Sequence, residues 1–250
     1  MDLVGRKVLI TGGSIGIGRR LATDLDARGA QVLVCARGEG ALARLREAHP
    51  GIYTFACDVR DYDSVLRLVQ YAEQRMGTPD LLINNAAVFR RFEIDSPDAA
   101  IDDWLTEVDI NINGVLRVTH AFLPKMLALE EATLVNVTSP SAYLPLAAAP
   151  IYSATKAAIH SWTQSLRHQL RETSLNVVEL NPPAVDTRMN HNNPSVADLK
   201  LWSTQEFSQY VLSRLQRRDR RDILVGDAKL VRTMSRVAPG IVFKKMNPVT

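Results

Sequence analysis

Tyr152 and Lys156 stand four residues apart in the stretch YSATK, so a helix running through them sets a phenol and an amine on one face, one turn apart. Two readings of the pair are open. One is a packed tyrosine beside a solvated lysine; the other is a proton-transfer device. A free phenol has a pKa near ~10 and is a poor base at neutral pH, and a cation held against it favours the phenolate. Any two residues four apart share a helical face, so spacing alone does not choose between these readings.

A second constellation lies near the start of the chain, where a short apolar run leads into TGGSIGIG, residues 11 to 18. Gly12 permits a tight turn, Gly16 lets the backbone approach a pyrophosphate, and Gly18 allows a helix to pack closely on the strand. The helix that follows presents unpaired N–H groups to an anion. Strand, glycine turn and helix in that order point to a dinucleotide site.

Both constellations need a scaffold. Lys7–Thr11, Gln31–Cys35, Tyr53–Cys57, Leu81–Asn84, Thr133–Thr138 and Asn176–Leu180 read as buried strands, rich in Val, Ile and Leu with little polar alternation. Between them Gly16–Arg28, Glu39–Ala48, Tyr62–Met76, Asp103–Leu129 and Tyr152–Glu172 carry apolar residues at helical spacing. Strict alternation predicts an α/β fold: a single Rossmann-type, doubly wound parallel sheet with helices on both faces and ligands at the carboxyl ends of the strands. Residues 1–250 are expected to form one domain. Within it, 182–203, rich in Pro, Asn and Ser, is expected to be a mobile loop over the site, and 227–250 a C-terminal extension covering the substrate site or a neighbouring subunit.

Composition narrows the classes. The chain has 250 residues, 46% of them apolar, and a formal net charge of +3, too small to imply a polyanionic partner. The basic patch Arg217, Arg218, Arg220 and Arg221 is interrupted by Asp219 and Asp222 and reads as a solvated helix end. Cys35 and Cys57 fall in strand-like runs, which suits reduced thiols in the cytoplasm. No apolar stretch approaches the ~18 residues of a membrane span, and the histidines show no metal-ligand spacing, so neither nucleic acid, membrane nor metal is expected.

The turn has three residues between Gly12 and Gly16, and in this it resembles the short-chain dehydrogenase/reductase (SDR) family, its branch of ~250 residues bearing a catalytic tetrad. The resemblance runs over about residues 5 to 190. Asn84-Asn85-Ala86-Ala87 is similar to the family's NNAG motif with Ala87 for glycine, and Asp58-Val59 looks like its adenine-contacting pair. The resemblance implies a catalytic tetrad of Asn111, Ser139, Tyr152 and Lys156. It implies cofactor contacts from Thr11, Gly12, Ser14, Ile15, Gly16, Ile17, Gly18, Ala36, Arg37, Asp58, Val59, Asn85, Ala86, Tyr152, Lys156, Pro182, Val185 and Thr187. Within the family the chain is most similar to the subgroup labelled DltE-like, with Pro182-Pro183 in place of Pro-Gly after the sixth strand and Pro140 directly after Ser139.

On that footing Tyr152 would transfer a proton, Lys156 would favour phenolate and reach the ribose hydroxyls, Ser139 would hold the substrate oxygen, and Asn111 would hold a water linking Lys156 to solvent. Ala36 stands where an NAD-selective acid would be and Arg37 is set to pair with a 2′-phosphate, so NADP(H) is the expected cofactor. NAD(H) stays possible, because Ile15 sits where many NADP-using relatives have a basic residue and Glu39 is nearby. Family topology would put Val88, Phe89, Tyr143, Leu144, Pro183, Met189 and Trp202 around the substrate, an apolar wall suited to a small apolar ketone, aldehyde or alcohol. Arg90, Arg91 and His191 could also meet substrate, though solvated roles are the commoner ones. The expected activity is hydride transfer between nicotinamide and a carbonyl or alcohol. An epimerase, isomerase or dehydratase that retains its cofactor is the alternative, and a non-catalytic cofactor sensor the second. A homodimer or homotetramer is expected, built on the helices from Asp103 and Tyr152, with Val115, Val118, Ala154, Ala157 and Ala158 facing a two-fold axis.

Overall fold

The computed structural model describes residues 2–91, 93–94, 100–191, 200–217 and 222–247. Its strands are β1 (Lys7–Thr11), β2 (Gln31–Ala36), β3 (Tyr53–Ala56), β4 (Leu81–Asn84), β5 (Ala132–Val137), β6 (Leu175–Asn181) and β7 (Ile223–Leu224). They form one parallel sheet in the order β3-β2-β1-β4-β5-β6-β7. The order reverses between β1 and β4, which opens a crevice at the carboxyl ends of those two strands.

Alternate residues of each strand face opposite layers. Val8, Ile10, Val32, Val34, Leu81 and Ile83 pack on one side against α1 (Gly16–Asp26), α2 (Glu39–Ala48) and α8 (Thr204–Gln216). Leu9, Leu33, Leu82 and Leu134 pack on the other against α3 (Tyr62–Arg75), α5 (Gly114–Leu127) and α6 (Pro150–Gln169). Burial on both faces explains why β1, β2, β4, β5 and β6 read as unbroken apolar runs. Each fully buried Leu or Phe adds about 1.5–3 kcal/mol, and the two layers together fix the sheet rigidly under the crevice.

Three departures from the sequence expectations bear on function. The helix expected over Asp103–Leu129 is α4 (Ile101–Val108) and α5 joined by a π turn at Asp109–Asn113. The buried Asn111 side chain causes the break: its Oδ1 accepts from the Val88 N–H at 2.9 Å and its Nδ2 donates to the Val88 carbonyl at 2.9 Å. Such single-turn bulges concentrate at functional sites. Second, α8, β7 and the C-terminal pair α9 (Ala228–Val237) and α10 (Pro239–Met246) are regular elements that the strand-and-helix reading did not reach. Third, the expected loop 182–203 carries a bridge between Val185 and Trp202 and the short helix α7 (Arg188–His191). Residues 192–199 of that loop, and Arg218, Asp219, Arg220 and Arg221 of the basic patch, lie outside the described residues.

Candidate active site

The crevice holds two adjoining cavities. The first, about 780 Å³, is lined by the glycine turn, the ends of β2 and β3, and residues 85–88. Gly12 takes φ +65°, and a Cβ there would sit 2.7 Å from the Ala86 Cα; one at Gly18 would sit 2.5 Å from the Asn85 amide nitrogen. The turn is pinned from below: the Asn85 and Ala86 N–H groups donate to Thr11 Oγ1 at 3.0 Å each, and Asn85 Nδ2 donates to the Thr11 and Gly12 carbonyls. The N-terminus of α1 has no side-chain cap and no acid in its first turn, so its free N–H groups are open to an anion. These features fit a dinucleotide.

Ser14, Ile15, Gly16, Ile17, Gly18, Ala36, Arg37, Val59, Asn85, Ala86 and Thr187 line one cavity or both, and Pro182 lines the second. Thr11 does not, because its hydroxyl is spent on residues 85 and 86 beneath the floor. Val185 is fully buried in the core and supports the site through its carbonyl, which accepts from Asn190 Nδ2 at 2.8 Å. Asp58 is set aside from the lining. Its carboxylate is clasped by the Arg60 guanidinium at 2.7 Å, which together with Arg37 lowers its pKa. Arg19 and Arg44 also line the cavity, and the sequence reading missed both. Each lies at or beyond the first turn of its helix, a signal that was visible. Glu39 is not in the lining.

The second cavity, about 280 Å³, contains Ser139, Tyr152 and Lys156. Ser139 lies two residues past the end of β5 and caps a short 3-10 turn, its Oγ accepting from the Ser141 N–H at 3.2 Å. Tyr152 and Lys156 are buried on the inner face of α6, which Pro150 starts at its first turn. Lys156 Nζ donates to the Val137 carbonyl at 2.9 Å and lies 5.6 Å from the centre of the Tyr152 ring. Burial drives the lysine down to about 8. Burial also pushes Tyr152 up to about 12, against the pull of a hydrogen bond with Ser139. The ammonium is engaged by the Val137 carbonyl, and desolvation of the phenolate is the largest effect on Tyr152. Asn111 lines neither cavity; it lies beneath them, its Nδ2 donating to Thr155 Oγ1 at 3.1 Å and to the Val88 carbonyl and its Oδ1 accepting from the Val88 N–H.

Glu107, one helical turn before Asn111, was not singled out from the sequence. It is wholly buried, accepts from the Arg90 N–H at 3.3 Å, and leaves its second oxygen without a partner among the described residues. Burial pushes its pKa up to about 7, and its charge bears on both Tyr152 and Lys156. The signal available was an acid at the inward position of an amphipathic helix.

Of the expected substrate wall, Phe89, Leu144, Pro183, Met189 and Trp202 line this cavity, with the Phe89 ring edge-on to Tyr152 at 4.9 Å. Val88 lines the dinucleotide cavity instead. Tyr143 turns away, because its hydroxyl donates to the buried Glu179 at 3.1 Å. Glu179 also takes the Thr138 hydroxyl at 2.6 Å and His160 at 2.7 Å, bracing the strand end that leads to Ser139. Leu146, Val231 and Met246 add to the apolar wall, the last two from α9 and α10, and Asn190, Lys200 and Asp227 are polar members of the lining. Arg90 pairs with Asp103, and His191 with Asp186 at 2.6 Å. Val115 and Val118 are buried inside the chain and so cannot face a two-fold axis; Ala154 and Ala158 are exposed.

Comparison with known proteins agrees with this geometry. Residues 6–197 match the family described as short chain dehydrogenase. The chain is 35% identical over 249 residues to the Bacillus subtilis protein named uncharacterized oxidoreductase DltE, covering 99% of this chain and 98% of that one. It is 33% identical over 216 residues to an uncharacterized oxidoreductase of Staphylococcus aureus, covering 85% and 92%. The fold superposes on a short chain dehydrogenase from Burkholderia cenocepacia in complex with NADP, with TM-score 0.83, 24% identity and coverage of 98% and 99%. It also superposes on a 3-ketoacyl-(acyl-carrier-protein) reductase from Brucella melitensis complexed with NADH, with TM-score 0.81, 24% identity and coverage of 88% and 96%. The chain belongs to the short-chain dehydrogenase/reductase family, in its DltE-like group, and is an NAD(P)-dependent oxidoreductase.

Proposed function

We propose that the protein transfers hydride between NADP(H) and the carbonyl or alcohol carbon of a small, mostly apolar molecule, with Tyr152 as proton donor and acceptor. The observation that carries this reading is the continuity of the two cavities: Ile17, Asn85, Ala87, Thr187 and Met189 line both, so a ligand on the glycine turn borders the pocket of Ser139, Tyr152 and Lys156. When bound, the dinucleotide supplies the hydride donor or acceptor and, if oxidised, a positive charge beside the phenol.

In the direction of reduction Tyr152 gives its phenolic proton to the substrate oxygen; in oxidation it takes that proton back. Ser139 Oγ hydrogen-bonds the same oxygen and the Tyr152 phenol, which holds the carbonyl for attack. Lys156 keeps an ammonium on the same face of α6, and its partner Val137 belongs to the strand leading into Ser139, so proton donor and oxygen clamp move as one unit. Phe89, Leu144, Trp202 and Met246 exclude water from the reacting carbon and favour an apolar substrate. Ala36 and Arg37, with Arg19 and Arg44 on the same wall, support a 2′-phosphate over a free ribose hydroxyl.

The test follows reduced nicotinamide absorbance against a panel of apolar ketones and alcohols, with NADPH and NADH in parallel. Wild type turns over with NADPH in preference, and Tyr152→Phe lowers kcat by at least ~100-fold while still binding nucleotide. Turnover with NADH alone would overturn the cofactor assignment, and full activity in Tyr152→Phe would overturn the proton-transfer role.

A further inference from the structure

The outer face of α9 and α10 is left exposed by the described residues. Leu230 is 60% exposed, Met234 37%, Val237 75% and Ile241 74%, whereas most large apolar side chains are buried. Leu230, Met234 and Val237 follow one another at steps of four and three residues, so they form one stripe along α9, and Ile241 extends it past the break at Ala238. Lys229, Arg236, Lys244 and Lys245 are exposed on the same two helices, and after the N-cap Asp227 no acidic residue occurs from 228 to 247.

This face is firmly mounted. Arg232 is paired with Asp222 at 2.8 Å and lies over the Tyr143 ring, while Asn247 accepts from the Ala147 N–H at 2.6 Å and donates to the Pro145 carbonyl at 3.0 Å. Its inner side is the substrate cavity itself, through Val231 and Met246. A helix pair with an apolar stripe, exposed cations and no acid after its N-cap matches the chemistry of an anionic lipid headgroup layer over hydrocarbon. A second copy of the chain fits less well, because a two-fold contact would set Lys229, Arg236, Lys244 and Lys245 against their own like charges.

We infer that α9 and α10 dock the protein on the surface of an anionic bilayer, with the substrate cavity opening beneath the docked face. No helix among the described residues is long and apolar enough to cross a membrane, so the association is peripheral. It departs from the sequence expectation of no membrane partner, which rested on the lack of a spanning segment, and it does not depend on the proposed reaction, since binding is read without turnover.

Flotation of the full chain with vesicles of phosphatidylcholine alone, or of phosphatidylcholine mixed with phosphatidylglycerol, tests it. Wild type floats with the mixed vesicles, stays behind with neutral ones, and is released by molar salt. Val237→Asp with Ile241→Asp lowers partitioning at least ~10-fold, and Lys244→Ala with Lys245→Ala lowers it roughly 25-fold, about fivefold for each charge removed. Circular dichroism melting checks that the variants fold; if the aspartate pair does not, the alanine pair carries the test. No flotation of wild type, equal flotation with neutral vesicles, or unchanged flotation of the variants overturns the inference. A wild-type dimer on sizing that the aspartate pair dissociates, without vesicle binding, overturns it in favour of a second copy.

Discussion

Glu107 is a buried acid whose protonation is set by desolvation and felt by the phenol and the ammonium beside it. Its pKa in the fold is about 7 against ~4.3 in an unfolded chain, so the folded state favours the protonated form. The stabilisation is complete below the unfolded value and is lost as pH rises through the folded one. Glu107→Gln stays neutral throughout and keeps an acceptor for the Arg90 N–H. Relative to wild type it should gain stability between about pH 5 and 7, reaching on the order of 3 kcal/mol above pH 7. Urea unfolding at several pH values measures this, and parallel curves for the two proteins would refute it. Lys156 acts in the opposite sense and at higher pH: its lowered pKa of about 8 means that stability grows as pH rises from there toward the unfolded value. The charge of Glu107, when ionised, is one of the causes that raise the phenol.

At the scale of elements, the π turn between α4 and α5 shows how one side chain reshapes a helix. Asn111 satisfies both backbone groups of Val88, and with Thr155 it ties the turn to α6. Asn111→Leu leaves those buried groups unpaired and should lower stability by about 3 kcal/mol, read from the urea midpoint; a loss below about 1 kcal/mol would mean that the turn does not depend on this side chain. The same turn marks where the sequence stopped being legible. The apolar periodicity from Asp103 to Leu129 is continuous, and periodicity does not report a side chain that withdraws one residue from the ladder. β1, β2, β4, β5 and β6 were readable because both their faces are largely buried, so their composition is uniform; the edge strand β3 is half-exposed and was legible from its β-favouring Tyr, Thr and Phe. β7 has two residues and no pattern to read. α9 and α10 were missed because their exposed apolar residues blur the contrast between faces. The glycine turn and the Tyr152–Lys156 pair were legible because their spacing is fixed by backbone geometry. Glu179, by contrast, is held through Thr138, Tyr143 and His160, contacts between distant segments that only the folded chain brings together.

Over the whole molecule the sheet works as a platform with two rooms on one edge, and the walls of the nucleotide room include both cysteines. Cys35 and Cys57 are buried, and the thiol–thiol hydrogen bond lowers the pKa of Cys57 while raising that of Cys35. The more acidic thiol is the more reactive one toward alkylating reagents. A maleimide reaching it must enter by the route a nucleotide takes, so occupancy should be readable as chemical shielding. NADPH present during labelling should slow modification of Cys57 at least ~10-fold, scored by mass spectrometry, and labelling at an unchanged rate would mean that the ligand rests elsewhere. The chain thus carries its own footprinting probe, able to rank nucleotides before any substrate is in hand.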